Sequence, residues 1–486
     1  MSLVNPRKAA ADILYRVYKN NAYLNVEMNK TRKENSFSDM DLKLINEITH
    51  GVIKNKIFLD YIIEKNSKIK FKKIAPYVVC VLECGLYQIM FTDKIPQSAA
   101  VNESVKIIKN SKLYKSAGFV NAILRNAARG ANNLELPQDN AKKLSLVFSY
   151  PEWIVKNWLN EFGEDFTYEL LIAFNEKSDL FLRCNKLKTT PSKLKEMLNK
   201  QNINVNTYKS VLCPELDCML TCNELGGIEK MPEYINGLFY VQDAAAALTV
   251  EALSPDEGDT IIDMCAAPGG KCTYMAEKMN NNGVVYAFDI YEHKLDKINA
   301  NAKRLGIDII KTQISDGTVF NKNFEKAADK VLVDAPCTGL GILKRKPDIK
   351  YMRKCEDIEK LADLSLKILD NAAKYVKCGG VLVFSTCTVE PVENECNIKR
   401  FLKKHSEFCL ETISEIKDIY CRLLPFSICK HIIRWSDLTT ISKLYDHIKN
   451  FLRTHIVVAV SINPSGLHNL HIIRFQAITF FCNLFV

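Results

Sequence analysis

Asp263-Met264-Cys265-Ala266-Ala267-Pro268-Gly269-Gly270-Lys271 ends the apolar run Thr260–Met264 and leads into a helical pattern. A buried strand that stops at a small, glycine-containing turn before a helix lets a ligand approach backbone N–H groups closely. Twenty residues after Gly269, a second run, Val284–Asp289, ends in an acid suited to ribose hydroxyls. That arrangement alone serves NAD or S-adenosyl-L-methionine, with the second favoured. The turn lacks G-x-G-x-x-G, so a pyrophosphate cradle is not indicated.

Two further apolar runs, Lys330–Asp334 and Val381–Ser385, alternate with helical stretches. Such alternation predicts βαβ units in a parallel sheet covered on both faces, with ligands at the carboxyl ends of the strands. Both runs deliver a cysteine there, in Val333-Asp334-Ala335-Pro336-Cys337-Thr338-Gly339 and Phe384-Ser385-Thr386-Cys387-Thr388-Val389. An isolated strand-end cysteine is usually a small buried apolar residue. Two of them beside a methyl-donor turn suit covalent catalysis on a pyrimidine. Carbon 5 of cytosine is a poor nucleophile until a thiolate adds to carbon 6, and a base must then remove the carbon-5 proton.

Around this core the chain has 486 residues, 47% apolar and 25% charged, with a formal net charge of +10. That is globular composition, and it excludes wholesale disorder, collagen and coiled coil. Residues 1–130 hold 22 Lys/Arg against 11 Asp/Glu, residues 421–486 hold 7 against 2, and the middle is net acidic. A basic N-terminal unit suggests an anionic partner, although a solvated Lys-rich surface has the same composition. The 17 cysteines include no C-x-x-C pair. Cys213, Cys218 and Cys222 lack a second ligand pair, so no metal is expected, and the odd count argues for reduced thiols in a cytosol. Met1-Ser2-Leu3-Val4-Asn5-Pro6 has no apolar signal core, and no run reaches a membrane span. The expectation is a soluble, cytoplasmic monomer.

The first 130 residues read as a helical bundle. Pro76 opens a helix with Val78, Val79, Leu82, Leu86 and Ile89 on one face, and Lys65, Lys68, Lys70, Lys72 and Lys73 offer a surface for phosphates. Residues 131–149 read as a linker, 150–236 as a small α+β RNA-binding or adaptor module, and 237–420 as the catalytic α/β domain. The predicted fold is therefore an all-α bundle, a small α+β module and a Rossmann-like class I methyltransferase domain.

The motifs Asp263–Lys271, Asp334-Ala335-Pro336-Cys337-Thr338-Gly339 and Ser385-Thr386-Cys387-Thr388 resemble those of the Nop2/Sun RNA cytosine-5 methyltransferases. Pro96–Glu103 and Gly118–Arg125 resemble later helices of the NusB-type RNA-binding domain. The combination is similar to the bacterial 16S rRNA cytosine-5 methyltransferases, over roughly residues 4–410. The resemblance implies S-adenosyl-L-methionine as cofactor and unassembled or partly assembled 16S rRNA as partner. It implies that Cys265, Ala266, Ala267, Pro268, Gly269, Gly270 and Lys271 wrap the donor's amino-acid end. Asp289 would hold its ribose, Asp316 would stand beside the adenine, and Asp334 would mark the donor–base boundary. It assigns Cys387 as nucleophile and Cys337 to enzyme release; DNA methyltransferases use the Pro-Cys thiol instead, and residue physics alone leaves the choice open. Lys344, Arg345 and Lys346 follow as phosphate contacts or as a solvated loop. Lysine at 344, where the family often has arginine, exchanges a bidentate fork for a point charge.

The resemblance fails in residues 421–486, which contain no Glu and five of the eight histidines. The family's closing Thr-Asp-Gly-Phe-Phe strand is absent. The last strands are expected to be missing or improvised, and the tail disordered or misfolded. His431, His447, His455, His468 and His471 show no ligand spacing. A tRNA cytosine-5 methyltransferase, or an RNA-binding protein catalytically impaired by its altered C-terminus, are the alternative functions.

Overall fold

The computed structural model describes residues 5–130, 135–210, 213, 216–223, 225–411 and 456–462. They form two units. One runs to Glu176 and includes Leu343–Cys355; the other comprises Lys177–Ile342 and the residues from Glu356 onward.

The first unit is helical, as its 3.6-residue periodicity requires. Helices Pro6–Asn20, Leu24–Glu34, Asp39–Asn66, Pro76–Phe91, Gln97–Lys109 and Ala117–Gly130 bury one shared core. Pro76 stands in the first turn, where a missing N–H costs nothing, and Val78, Val79, Leu82, Leu86 and Ile89 are all buried. Each such side chain contributes roughly 1.5–3 kcal/mol of transfer free energy. Ser38 and Asp41 form a capping box at the head of the longest helix. Lys65, Lys68, Lys70, Lys72 and Lys73 are exposed. Within the stretch read as a linker, Asn140–Phe148 is a helix that buries Ala141, Leu144 and Leu146. Glu152–Phe162 and Glu164–Asn175 follow in the same unit, with Trp158 packed between Tyr150 and Phe174. In the inserted segment, Asp348 accepts the Leu24 N–H at 2.9 Å, and the Lys350 amine donates to the Lys54 carbonyl at 2.9 Å.

The second unit holds two sheets. Strands β1 (Leu180–Cys184), β2 (Val205–Thr207), β3 (Met219–Cys222) and β4 (Phe239–Val241) pair antiparallel in the order β2-β3-β1-β4. The larger sheet comprises β5 (Thr260–Asp263), β6 (Val284–Asp289), β7 (Ile310–Ile314), β8 (Ala328–Asp334), β9 (Val376–Thr386), β10 (Phe408–Glu411) and β11 (Ile456–Ile462). Its order is β10-β11-β9-β8-β5-β6-β7, with β5 to β9 parallel. The chain steps outward from β5 through β6 to β7, then returns to place β8 on the other side of β5. The reversal opens a crevice at the carboxyl ends of β5 and β8, where such sheets bind ligands.

The runs predicted as strands are β5, β6, β8 and β9, and the expected Rossmann-like architecture is present. The closing strands are improvised rather than missing. Ile456–Ile462, within the stretch expected to be disordered or misfolded, pairs antiparallel with both β9 and β10. The remainder of 421–486, including all five of its histidines, lies outside the described residues. Among the described residues, no helix is long and apolar enough to cross a membrane.

Candidate active site

The crevice is built by four strand ends. The turn after β5 is held by backbone hydrogen bonds, within itself from the Gly269 N–H to the Ala266 carbonyl at 2.8 Å and to β6 from the Ala266 N–H to the Phe288 carbonyl at 2.9 Å. Gly269 has φ +105°, in the left-handed region, and a Cβ there would lie 3.2 Å from the Ile298 Cα. Only glycine meets both conditions without strain. Gly270 begins the helix Gly270–Lys278. Cys265 is partly exposed; burial and the carboxylates of Asp263, Asp334 and Asp289 push its thiol pKa far up.

Lys271 reaches across the crevice to Asp334 at 2.5 Å, and Ser385 donates to the other Asp334 oxygen at 2.7 Å. Burial works against the Lys271 charge, but the Asp334 carboxylate more than offsets it and raises the amine's pKa. Asp289 is buried at the end of β6, where it accepts the Tyr291 N–H at 3.1 Å and pairs with Lys294 at 3.2 Å. Asp316, past the end of β7, is exposed and accepts both the N–H and the hydroxyl of Thr318, which lowers its pKa.

The two cysteines predicted at neighbouring strand ends meet. Cys337 Sγ and Cys387 Sγ are 3.3 Å apart, and the Cys387 N–H donates to Cys337 Sγ at 3.2 Å. The hydrogen bond with Cys387, followed by burial, raises the Cys337 pKa well above the usual thiol value. The loops carrying the pair are clamped. Glu393, almost fully buried, accepts the Thr338 N–H at 2.7 Å and its hydroxyl at 2.5 Å, and Thr338 and Thr388 share a hydroxyl contact of 2.8 Å. The Gly341 N–H closes the clamp on the Cys387 carbonyl at 3.0 Å.

Lys344 departs from the expectation of a phosphate contact. Its side chain is 3% exposed and paired with Glu176 at 3.1 Å within the helical unit. A lysine stripped of water needs a carboxylate partner, and Glu176 supplies it. Arg345 is half-buried, and of the three only Lys346 faces solvent. Asp263 received no role from the sequence, yet it is 1% exposed, and its Oδ2 has no hydrogen-bond partner among the described residues. Burial, then the neighbouring Asp334, pushes its carboxyl up to about 7. That no cation of the described residues lies within hydrogen-bond reach of this oxygen fits a site whose ligand brings positive charge. Among the described residues, no group of three or more His, Cys, Asp or Glu side chains is arranged for a metal ion.

A Gly turn and acids at the switch point of a parallel sheet, with paired thiols on the adjoining strands, define a Rossmann-like methyltransferase. Residues 250–422 match the family model described as 16S rRNA methyltransferase RsmB/F, 4–129 the NusB family, and 150–214 an RsmF/B-like ferredoxin-like domain. The chain is 35% identical over 410 residues to the probable ribosomal RNA small subunit methyltransferase B of Bacillus subtilis, covering 84% of this chain and 90% of that protein. It is 32% identical over 408 residues to the protein of the same description in Synechocystis, covering 84% and 91%. The crystal structure of PH0851 superposes with a TM-score of 0.74 at 22% identity, covering 94% of this chain and 99% of that one. The chain belongs to the 16S rRNA methyltransferase RsmB/F family, and it is an RNA methyltransferase.

Proposed function

We propose that this protein transfers the methyl group of S-adenosyl-L-methionine to carbon 5 of a cytosine in 16S rRNA, through a covalent Cys387–cytosine adduct. The observation that carries the reading is the 3.3 Å approach of Cys337 Sγ to Cys387 Sγ at the ends of adjacent parallel strands. The turn Cys265–Lys271, with Asp289, Asp316 and Asp334, would hold the donor, and the orphaned Asp263 oxygen suits its positive charge. When bound, the donor supplies an electrophilic methyl group on a sulfonium.

Cys387, as thiolate, adds to carbon 6 of the cytosine, which makes carbon 5 electron-rich enough to take the methyl group. A base then removes the proton from carbon 5. That electron pair re-forms the carbon 5–carbon 6 double bond as the sulfur–carbon 6 bond breaks. Cys337, held as a thiol beside the leaving sulfur, assists release. The exposed lysines of the helical unit hold the rRNA backbone, and the target base leaves its stack to reach the thiols.

The test is methyl transfer to 16S rRNA by C387A and C337A, with bisulfite sequencing to identify the product. C387A is expected to be inactive, and C337A to accumulate protein covalently joined to RNA. Full activity in C387A sinks the nucleophile assignment.

A further inference from the structure

We propose that Arg183, on a strand of the small antiparallel sheet, is a positioning residue for methyl-donor binding. The inference rests on reading the turn before Gly270–Lys278 as the donor site. Arg183 lies in β1 between Leu182 and Cys184, opposite Met219 and Tyr240, and is 0% exposed. A guanidinium removed from water must have its donors satisfied, and here all five are used. Nε donates to Glu277 Oε2 at 3.2 Å, and Nη2 to Glu277 Oε1 at 2.8 Å and Thr273 Oγ1 at 3.1 Å. Nη1 donates to Gln242 Oε1 and, at 2.6 Å, to the carbonyl oxygen of Gly270. The rings of Tyr240 and Tyr274 lie 5.2 and 4.8 Å from the guanidinium carbon.

The Gly270 contact is the one that a structural ion pair does not require. The bidentate pairing with Glu277 already neutralises the charge. The fifth hydrogen bond instead anchors the peptide on which the turn ends and the helix begins. Its neighbours are anchored as well: the Pro268 carbonyl by Asn301 at 3.1 Å, and the Gly269 carbonyl by the Thr273 hydroxyl at 2.7 Å. β4 presses on the same point, since a Cβ on Gly270 would come within 3.1 Å of the Tyr240 ring. The first N–H groups of a helix have no intrahelical partner, and they are what a donor's carboxylate meets. Fixing the Gly270 peptide fixes their direction. The small sheet is thus part of the frame of the donor site rather than only an adaptor for RNA.

The test is calorimetric titration of S-adenosylmethionine into the full-length wild type, R183K and the double variant R183M/E277M, with a melting curve for each donor-free protein. The double variant replaces the buried ion pair with apolar groups of similar length, an exchange that folds tend to survive. Its Tm is expected to stay near wild type while the donor Kd rises about tenfold, the equivalent of roughly one charge-assisted hydrogen bond. In steady state the donor KM rises in parallel, and kcat at saturating donor holds. R183K keeps the Glu277 pairing but cannot also reach Gly270, so its Kd also rises; this variant carries the test if the double variant melts early. Unchanged donor Kd in R183K, or in a folded double variant, overturns the inference. A wild type that binds no donor overturns the reading of the turn, and this inference with it.

Discussion

The buried carboxyl of Asp263 makes a quantitative prediction. Among the described residues its Oδ1 accepts a single N–H, from Cys265 at 3.3 Å, and Oδ2 has no partner, while burial with Asp334 nearby lifts the group to about 7. The gap from an ordinary aspartate corresponds to about 4 kcal/mol of preference for the protonated form. Because the folded pKa lies above the unfolded one, the contribution is fully present below about pH 4 and is lost as pH rises through about 7. D263N removes the titration and keeps an oxygen for the Cys265 N–H. Urea unfolding of donor-free wild type and D263N between pH 5 and 8 isolates this group from the others. The wild-type stability relative to D263N should fall by up to about 1.4 kcal/mol per pH unit at first and level off above pH 7. Donor binding should show the opposite trend. A cation beside Asp263 favours the carboxylate, so wild-type donor affinity rises with pH over the same window, and D263N loses that dependence. A stability difference that does not change with pH refutes the assignment of a protonated Asp263.

Three further outcomes follow from particular contacts. Mild peroxide should join Cys337 to Cys387, with two thiols giving one disulfide and water; peptide mass spectrometry should find the pair two hydrogens lighter, with methyl transfer lost and restored by dithiothreitol. G237A should destabilise the protein by about 3 kcal/mol or more, read by thermal melting, because the position has φ +71° and a Cβ would lie 1.9 Å from the Arg304 carbonyl oxygen. Replacing Lys68, Lys70, Lys72 and Lys73 together by glutamine should weaken rRNA binding and flatten its salt dependence by about one unit of slope for each phosphate no longer neutralised, measured by filter binding; an unchanged slope would show that this surface is solvated only.

What the sequence could convey about the fold depended on how much of each element's character is local. β5, β6, β8 and β9 are buried on both faces and read as apolar runs, so their alternation with helices was sufficient. β7 was not visible: Ile310-Lys311-Thr312-Gln313-Ile314 lies at the sheet edge, where polar residues are tolerated. β11 has an apolar sequence, but its place depends on pairing with β9, whose residues are some seventy positions earlier, and no local pattern encodes that register. Asn140–Phe148 was obscured by the polar residues before it, although Asp139 accepts the Lys142 N–H in the manner of an N-cap.

The site divides in the same way. Strand-end position made the two cysteines legible, because parallel strands deliver their last residues to one crevice. Glu393 and Arg183 were not, since their partners Thr338 and Glu277 lie 55 and 94 residues away. A lone charge inside an apolar strand, as in Leu182-Arg183-Cys184, was the available cue. The two thiols share one sulfur–sulfur contact. Cys337 accepts a backbone N–H, which would ease ionisation, yet its contact with Cys387 and its burial dominate and keep the proton on. A thiol that resists ionisation is a slow nucleophile but a usable proton carrier, the role proposed for Cys337. With the roles reversed, C387A rather than C337A would accumulate the RNA adduct, so one denaturing gel of the two variants distinguishes the assignments.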